Sequence, residues 1–197
     1  MGDRLQLNKS IGRRGSMATI SARDYMSKTV NVPIELYESI KGRYFIGYAD
    51  NLGLKAGTSA WARLYNPRLS GVNLFVNVWT VTDISQSPFR AQFWFNADPP
   101  GNAITSDLVT PSNLAFRPKP QPRVSLQMAS NVYGDPEGGV KAFVRRGEPG
   151  TTLVETENGK LIFPPGGSFL VYVTLTDTAG YSGSARIAFG WWEESIG

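Results

Sequence analysis

The run VNLFVNVWTV, residues 72–81, alternates between two sets of side chains at a period of two. That period places successive side chains on opposite faces of an extended strand. One set is aliphatic and is expected to face the core: Val72, Leu74, Val76 and Val78. The other set mixes amides with aromatic rings: Asn73, Phe75, Asn77 and Trp79. The stretch therefore predicts a β-strand with one face in the core of the fold.

Similar short runs of β-forming residues, separated by turn signals, fill most of the chain after residue 42. They are residues 43–48, 60–65, 72–81, 90–96, 123–129, 140–146, 151–156, 160–163, 168–176 and 184–192. Such a series is typical of antiparallel sandwiches and barrels, and we predict an all-β, jelly-roll-like antiparallel β-sandwich. Residues 168–176 are apolar on both faces, which predicts a central strand covered on each side by this chain or by another subunit.

Three further segments carry local signals. PIELYESIKG, residues 33–42, has Ile34, Tyr37 and Ile40 at a three-residue spacing and predicts one short helix. The Asn158-Gly159 pair between two runs predicts a tight hairpin. Proline at every second position in residues 117–123 predicts an extended crossing between the two sheets.

The sequence contains neither histidine nor cysteine. This composition excludes Ser-His and Cys-His nucleophilic catalysis, the usual zinc sites, iron–sulfur clusters and disulfide bonds. Adjacent Glu193 and Glu194 point to opposite faces of an extended chain, so they cannot form a catalytic pair. We expect both to be solvated at the end of the last strand, and Glu155 and Glu157 to be solvated beside a hairpin turn. The sequence thus predicts a protein that is not an enzyme and holds no metal or cofactor.

Residues 1–30 contain six Lys and Arg against two Asp, an excess of four that equals the excess of the whole chain. So polar a segment cannot bury enough surface to fold alone, which predicts a flexible basic arm before one sandwich domain, residues 31–197. We expect the arm to dock on a neighbouring subunit, with nucleic acid as the alternative partner. The cations assigned to these contacts are Arg4, Lys9, Arg13, Arg14 and Arg23.

The N-terminal region lacks targeting signals. No run approaches the roughly 20 apolar residues that cross a bilayer, and the first residues lack the apolar core of a signal peptide. Gly2 is a poor myristoylation site, because Gln6 stands where Ser or Thr is expected. We therefore expect no membrane span, and synthesis in the cytoplasm without a signal peptide.

Several tryptophans fall on the predicted outer faces of strands. Trp79 and Trp94 lie beside amide side chains such as Asn77 and Gln92. Aromatic rings among amides suit packing against another copy of the chain or stacking on sugars. We expect four aromatic residues to make such contacts, with another copy preferred and carbohydrate as the alternative: Trp79, Trp94, Tyr172 and Trp192.

Several longer motifs resemble those of a small family of uncharacterised all-β proteins from endospore-forming bacteria. They are VPIELYESIKGRYFIGY, NPRLSGVNLFVN, FWFNADPPGN followed by TPSN, and IFPPGGSFLVYV followed by RIAFGWWEE, which span roughly residues 31–194. The predicted architecture is similar to that of spore appendage subunits, which polymerise from jelly-roll domains through N-terminal extensions and cross-link through cysteines. The resemblance implies a setting on the surface of a spore or another particle, here without disulfide cross-links.

Three functional hypotheses agree with these features. The leading one is a structural subunit that assembles into a fibre or surface layer, held by packing and by strand addition. The second is a carbohydrate-binding β-sandwich module. The third is a virus- or phage-like jelly-roll coat protein whose arm meets nucleic acid.

Overall fold

The computed structural model describes residues 31–176 and 182–197. Within them, Val32–Gly197 forms one compact unit. Its elements are α1 (Ile34–Ile40), β1 (Tyr44–Lys55), β2 (Ser59–Tyr65), β3 (Val72–Asp83), β4 (Phe89–Phe95), β5 (Ile104–Thr105), β6 (Val109–Pro111), β7 (Ser125–Val132), β8 (Val140–Gly147), β9 (Thr152–Phe163), β10 (Ser168–Leu175) and β11 (Ser182–Ser195). No helix in these residues has the length and apolar character of a membrane span.

The strands form two sheets in a nested order. One sheet has the order β6-β1-β11-β3-β9 and the other has the order β5-β7-β2-β10-β4-β8. Four antiparallel pairs form one long hairpin that is wrapped into two layers: β1 with β11, β2 with β10, β3 with β9 and β4 with β8. That is the arrangement of a jelly roll. The predicted jelly-roll-like antiparallel sandwich is confirmed, with β5, β6 and β7 added between β4 and β8.

The central strand β10 is buried on both faces, as predicted. Phe169, Val171 and Val173 face the core between the sheets, and every one of them is fully buried. On the outer face, Leu170 and Tyr172 belong to a second apolar cluster. A loop closes over that cluster, because the indole Nε1 of Trp61 donates a hydrogen bond to the Pro100 carbonyl at 2.8 Å. The covering therefore comes from this chain itself.

The alternation of β3 changes phase at Asn77. Val76 pairs with Trp191 of β11 and Leu161 of β9, as expected for a regular ladder. Val78 then pairs with Gly190, so Asn77 is an extra residue on β3, which is a β-bulge. Beyond the bulge the buried residues are Trp79, Val81 and Asp83. The prediction for Val72, Leu74 and Val76 is confirmed, whereas the inward placement of Val78 and the outward placement of Trp79 are wrong.

The predicted tight hairpin at Asn158-Gly159 is wrong, because β9 runs through both residues. Their φ angles are positive, at 51° and 71°, which is the conformation that such a hairpin turn requires. Here the same conformation forms an outward bulge between the pairs Val76–Leu161 and Val78–Thr156. A side chain at Gly159 would collide with the ring of Trp192, so the close approach of β9 to β11 requires glycine.

The helix and the proline-rich crossing are confirmed. Helix α1 follows Pro33, and Gly42 beyond its end has a φ of 73°, as expected for a C-terminal glycine. Residues 117–123 contain no strand and connect β6 in one sheet to β7 in the other. Strand β7 begins at Ser125, two residues later than the apolar pattern indicated. The crossing passes over the end of the sandwich that also carries α1, since Gly42 contacts Phe116 and Pro120.

Candidate functional site

Three of the four aromatic residues predicted to make external contacts are buried within the chain. Trp79 and Tyr172 are each 1% exposed and Trp192 is 3% exposed. Trp79 lies in the core because of the bulge at Asn77. The hydroxyl of Tyr172 donates to the Gly134 carbonyl and lies 2.6 Å from Ser59 Oγ, beneath the loop after β7. Their predicted exposure is wrong, since each ring is covered by other parts of the same chain.

The side chain of Trp192, which belongs to β11, lies on the outer face of its sheet, where it contacts Phe75 of β3 and the bulge of β9. Its ring stacks on Phe75 with a centroid distance of 5.3 Å and an interplanar angle of 6°. Its edge contacts Gly159, and its indole Nε1 donates to Glu194 at 3.2 Å. The residue is on the face opposite Trp191, as the alternation indicated, but the bulge of β9 covers it.

Trp94 is the one predicted contact residue of the four that keeps a partly exposed ring. It packs beside the second apolar cluster on the outer face of the six-stranded sheet. The Lys141 ammonium lies over its ring, 4.7 Å from the centroid. Because a cation already occupies that face of the indole, any sugar stacking there would first displace Lys141. The contact role of Trp94 stays a prediction.

Glu193 is buried, which corrects the prediction that it is solvated. Its carboxylate accepts hydrogen bonds from the backbone N–H groups of Arg123 at 2.9 Å and Val124 at 3.0 Å. The indole Nε1 of Trp191 donates a third bond at 3.1 Å. Burial nevertheless raises the pKa of Glu193 above its usual value, against the opposing effect of these donors. The residue fastens the end of the proline-rich crossing to β11.

Glu157 is a second buried carboxylate that the sequence pattern misplaced. The bulge in β9 turns it inward, where its Oε1 accepts a bond from Trp79 Nε1 at 3.1 Å. Its other oxygen pairs with Lys160 Nζ at 3.2 Å. Glu155, two residues earlier, is exposed as predicted. Each of these two buried glutamates therefore accepts a hydrogen bond from the indole of a core tryptophan, Trp79 for Glu157 and Trp191 for Glu193.

A third buried carboxylate fixes the orientation of α1. Glu38 is 1% exposed and forms an ion pair with Arg43, with Arg43 Nε 2.7 Å from Glu38 Oε2. On the same side of the helix, Ser112 Oγ donates to Ser39 Oγ at 2.8 Å and Asn113 Nδ2 donates to the Ser39 carbonyl at 3.2 Å. The polar side of α1 therefore faces the body of the protein.

The apolar side of α1 consequently faces outward. Its side chains and Leu114 of the adjoining loop form an exposed surface that we call the α1 patch: Ile34, Leu36, Tyr37, Ile40 and Leu114, each between 43% and 55% exposed. A hollow of about 260 Å³ adjoins the patch at Ile40 and is also lined by Asn113, Ala115 and Phe116. This is the reverse of an ordinary surface helix, which turns its apolar stripe toward the core. Exposed apolar surfaces of this kind mark interaction sites.

A second apolar surface lies on the outer face of the five-stranded sheet. A groove of about 190 Å³ there is lined chiefly by Tyr44, Ile46, Val78 and Ala188. Asn77 Nδ2 donates to the Tyr44 hydroxyl at 2.8 Å, and burial raises the pKa of that phenol. Ile46 is 46% exposed, so the groove is open to solvent.

The outer edges of both sheets are poorly suited to strand addition. Strands β5 and β6 form one edge of each sheet and are only two and three residues long. On the opposite edges, β8 exposes the cations Lys141, Arg145 and Arg146, and β9 is interrupted by its bulge. Short edges, charges and bulges are the devices that prevent edge-to-edge pairing. The described strands thus offer packing surfaces more readily than hydrogen-bonding edges.

Two predictions remain, one on the cations of the arm and one on metal ions. The arm cations Arg4, Lys9, Arg13, Arg14 and Arg23 lie outside the described residues. Within residues 31–176 and 182–197, no group of three or more Asp or Glu lies together in a way that could hold a metal ion.

Comparison with known proteins identifies one family. A family described as being of unknown function, DUF6143, matches residues 18–197, and of the arm cations above only Arg23 falls within that range. No curated protein sequence and no solved structure matches the chain. The predicted resemblance to an uncharacterised family is confirmed, while an origin in endospore-forming bacteria stays a prediction. Because the match covers most of its length, the chain belongs to the family of unknown function DUF6143.

Proposed function

We propose that this protein is a non-enzymatic structural subunit that associates with copies of itself and assembles into a fibre or surface layer. The observation that supports the proposal most directly is the α1 patch. An ion pair between the buried Glu38 and the partly exposed Arg43, together with two side-chain hydrogen bonds, holds the helix with its apolar side toward solvent. Such an orientation lowers the solubility of a monomer, and it becomes favourable when a second surface covers the helix.

The proposed association uses side-chain packing. The sheet edges are short, charged or bulged, which disfavours strand addition between subunits. The apolar groove at Ile46 and Val78 supplies a second packing surface on the same subunit. A subunit with two separate apolar surfaces can join more than one neighbour, as a fibre or layer requires. The arm, residues 1–30, is proposed to reach a neighbouring subunit.

Carbohydrate binding is the second candidate, and one cleft favours it. Tyr133 is 77% exposed and lines an opening of about 310 Å³ together with Asp98, Asp135 and Glu137. An exposed aromatic ring beside carboxylates suits a sugar, because the ring stacks on the pyranose and the carboxylates accept hydrogen bonds from its hydroxyl groups. The site differs from the tryptophans that the sequence pattern indicated.

Light scattering of the full chain tests the leading proposal. We expect the weight-average mass to rise from the monomer value as the concentration is raised from micromolar to millimolar, and electron microscopy of the concentrated sample to show regular assemblies. A chain that stays monomeric throughout this range would overturn the proposal. Glycan-array binding that is lost in Tyr133→Ala would instead support the carbohydrate module.

A further inference from the structure

We propose that the α1 patch is the primary contact between two copies of the chain, and that the two patches face each other across a two-fold axis. This inference rests on the proposed self-association and assigns it to particular residues. It commits to a second copy of this chain as the occupant of the patch.

The area of the patch reaches the lower limit for a specific dimer. Five large apolar side chains that are each about half exposed present on the order of 500 Å² per copy. Two such faces bury about 1,000 Å² when they meet, which is the lower limit for a specific interface, and surrounding residues such as Lys41 and Ala115 add to it. A contact of this size gives a dimer that is in equilibrium with monomer.

The patch combines projecting side chains with an adjoining hollow, as a surface that pairs with a copy of itself requires. Its three most exposed side chains are those of Leu114, Ile40 and Leu36, which project from the surface. The hollow between Ile40 and Phe116 lies beside them. A two-fold axis places the projections of each copy over the hollow of the other, so one kind of surface satisfies both partners. An interface of this isologous type closes at two copies, and further growth then needs another surface.

The charges around the patch predict how association depends on salt. Two exposed cations border the patch, since Lys41 Nζ lies 5.5 Å from the centroid of the Tyr37 ring and Arg117 Nη1 donates to the Leu114 carbonyl at 2.7 Å. Glu35 is the one exposed carboxylate of α1. Two facing patches therefore bring basic rims together, and salt screens that repulsion while it leaves the apolar contact intact. We expect the dimer to become tighter as ionic strength rises. If the basic arm instead docked on an acidic partner, rising ionic strength would weaken the binding, because salt screens the attraction between opposite charges.

Substitutions within and outside the patch provide the test. Leu36→Asp and Ile40→Asp place a charge at exposed positions, so the fold should survive, as checked by circular dichroism and thermal unfolding. We expect each to weaken the dimer at least about tenfold in sedimentation equilibrium. The control is Leu69→Asp in the turn between β2 and β3, because Leu69 is 98% exposed and lies outside the patch. We expect this variant to dimerise like the original chain.

Disulfide cross-linking tests the two-fold axis. Because the chain has no cysteine, a single introduced cysteine can react only with the same cysteine of a second copy. A single Ile40→Cys near the centre of the patch should form a disulfide-linked dimer under mild oxidation, whereas Leu69→Cys should stay monomeric on non-reducing gels. Association that persists unchanged in both aspartate variants overturns the patch assignment and leaves the proposed function standing. A strictly monomeric full chain overturns both. Sensitivity to Leu36→Asp without cross-linking at Ile40→Cys overturns the two-fold arrangement.

Discussion

Replacing Glu193 by alanine should destabilise the fold far more than replacing its neighbour Glu194. The Glu193 carboxylate accepts bonds from two backbone N–H groups of the crossing and from the Trp191 indole. Alanine leaves these three donors without their partner, and each buried orphan costs about 1–3 kcal/mol. Removal of a desolvated charge offsets part of the cost, so we expect a loss of about 3 kcal/mol.

Urea unfolding followed by tryptophan fluorescence measures this difference. Glu194→Ala is the matched control, because Glu194 is partly exposed and accepts a single side-chain bond from Trp192 at 3.2 Å. We expect it to cost about 1 kcal/mol or less. Equal losses in the two variants would refute the conclusion that Glu193 fastens the crossing to β11.

The contribution of Glu193 to stability depends on pH with a definite sign. Since burial raises the pKa of Glu193 above its usual 4.5, the folded state holds this proton more tightly than the unfolded state does. The contribution to stability is then fully present below pH 4.5 and is lost as the pH rises through the raised pKa. We expect the unfolding free energy of Glu193→Gln to lack this decline. If the unfolding free energies of the original chain and of Glu193→Gln differ by the same amount at every pH, the Glu193 carboxylate is not buried and desolvated as described.

Three further predictions concern glycine, the helix anchor and the arm. Gly159→Ala should cost at least about 2 kcal/mol in thermal unfolding because it collides with Trp192, whereas Gly150→Ala, also at positive φ but in open space, should cost about 1 kcal/mol. A double-mutant cycle on Glu38→Ala and Arg43→Ala should give a coupling of about 2 kcal/mol, and zero coupling would contradict the anchoring of α1. If the arm binds nucleic acid, full-length protein purified at low salt should carry nucleic acid that high salt and deletion of residues 1–30 both remove.

Strand positions could be predicted from the sequence more reliably than the exact faces of strands. Alternation located β3 correctly, yet one extra residue at Asn77 exchanged the inward and outward sets beyond it. The bulge depends on the register with β9 and β11, which lie far away in sequence, so no local pattern reports it. Asn158-Gly159 shows the same limit, because its positive φ angles fit either a turn or a bulge.

The contact surfaces were harder to predict than the fold. The three-residue spacing in residues 33–42 correctly indicated α1, but spacing alone does not tell which side of a helix meets the protein. The deciding information was the pairing of Glu38 with Arg43 and of Ser39 with Ser112, and the second of these joins residues that are 73 positions apart in the sequence. Glu193 was misplaced for a related reason. Carboxylates are exposed by default, and its backbone donors come from the distant residues 123 and 124.

The position of β11 between β1 and β3 has a consequence for synthesis. Strands β1 and β3 are made early, but each needs β11 to complete its pairing on the inner side of the sheet. Until Ser182–Ser195 leaves the ribosome, β1 and β3 each have one unpaired edge in the nascent chain. In the folded protein β11 pairs with both of these edges. Strands β1 and β3 are each 12 residues long, so the period before β11 arrives is when the chain is most open to edge-to-edge pairing. The addition of β11 thus acts as the step that closes the five-stranded sheet between β1 and β3.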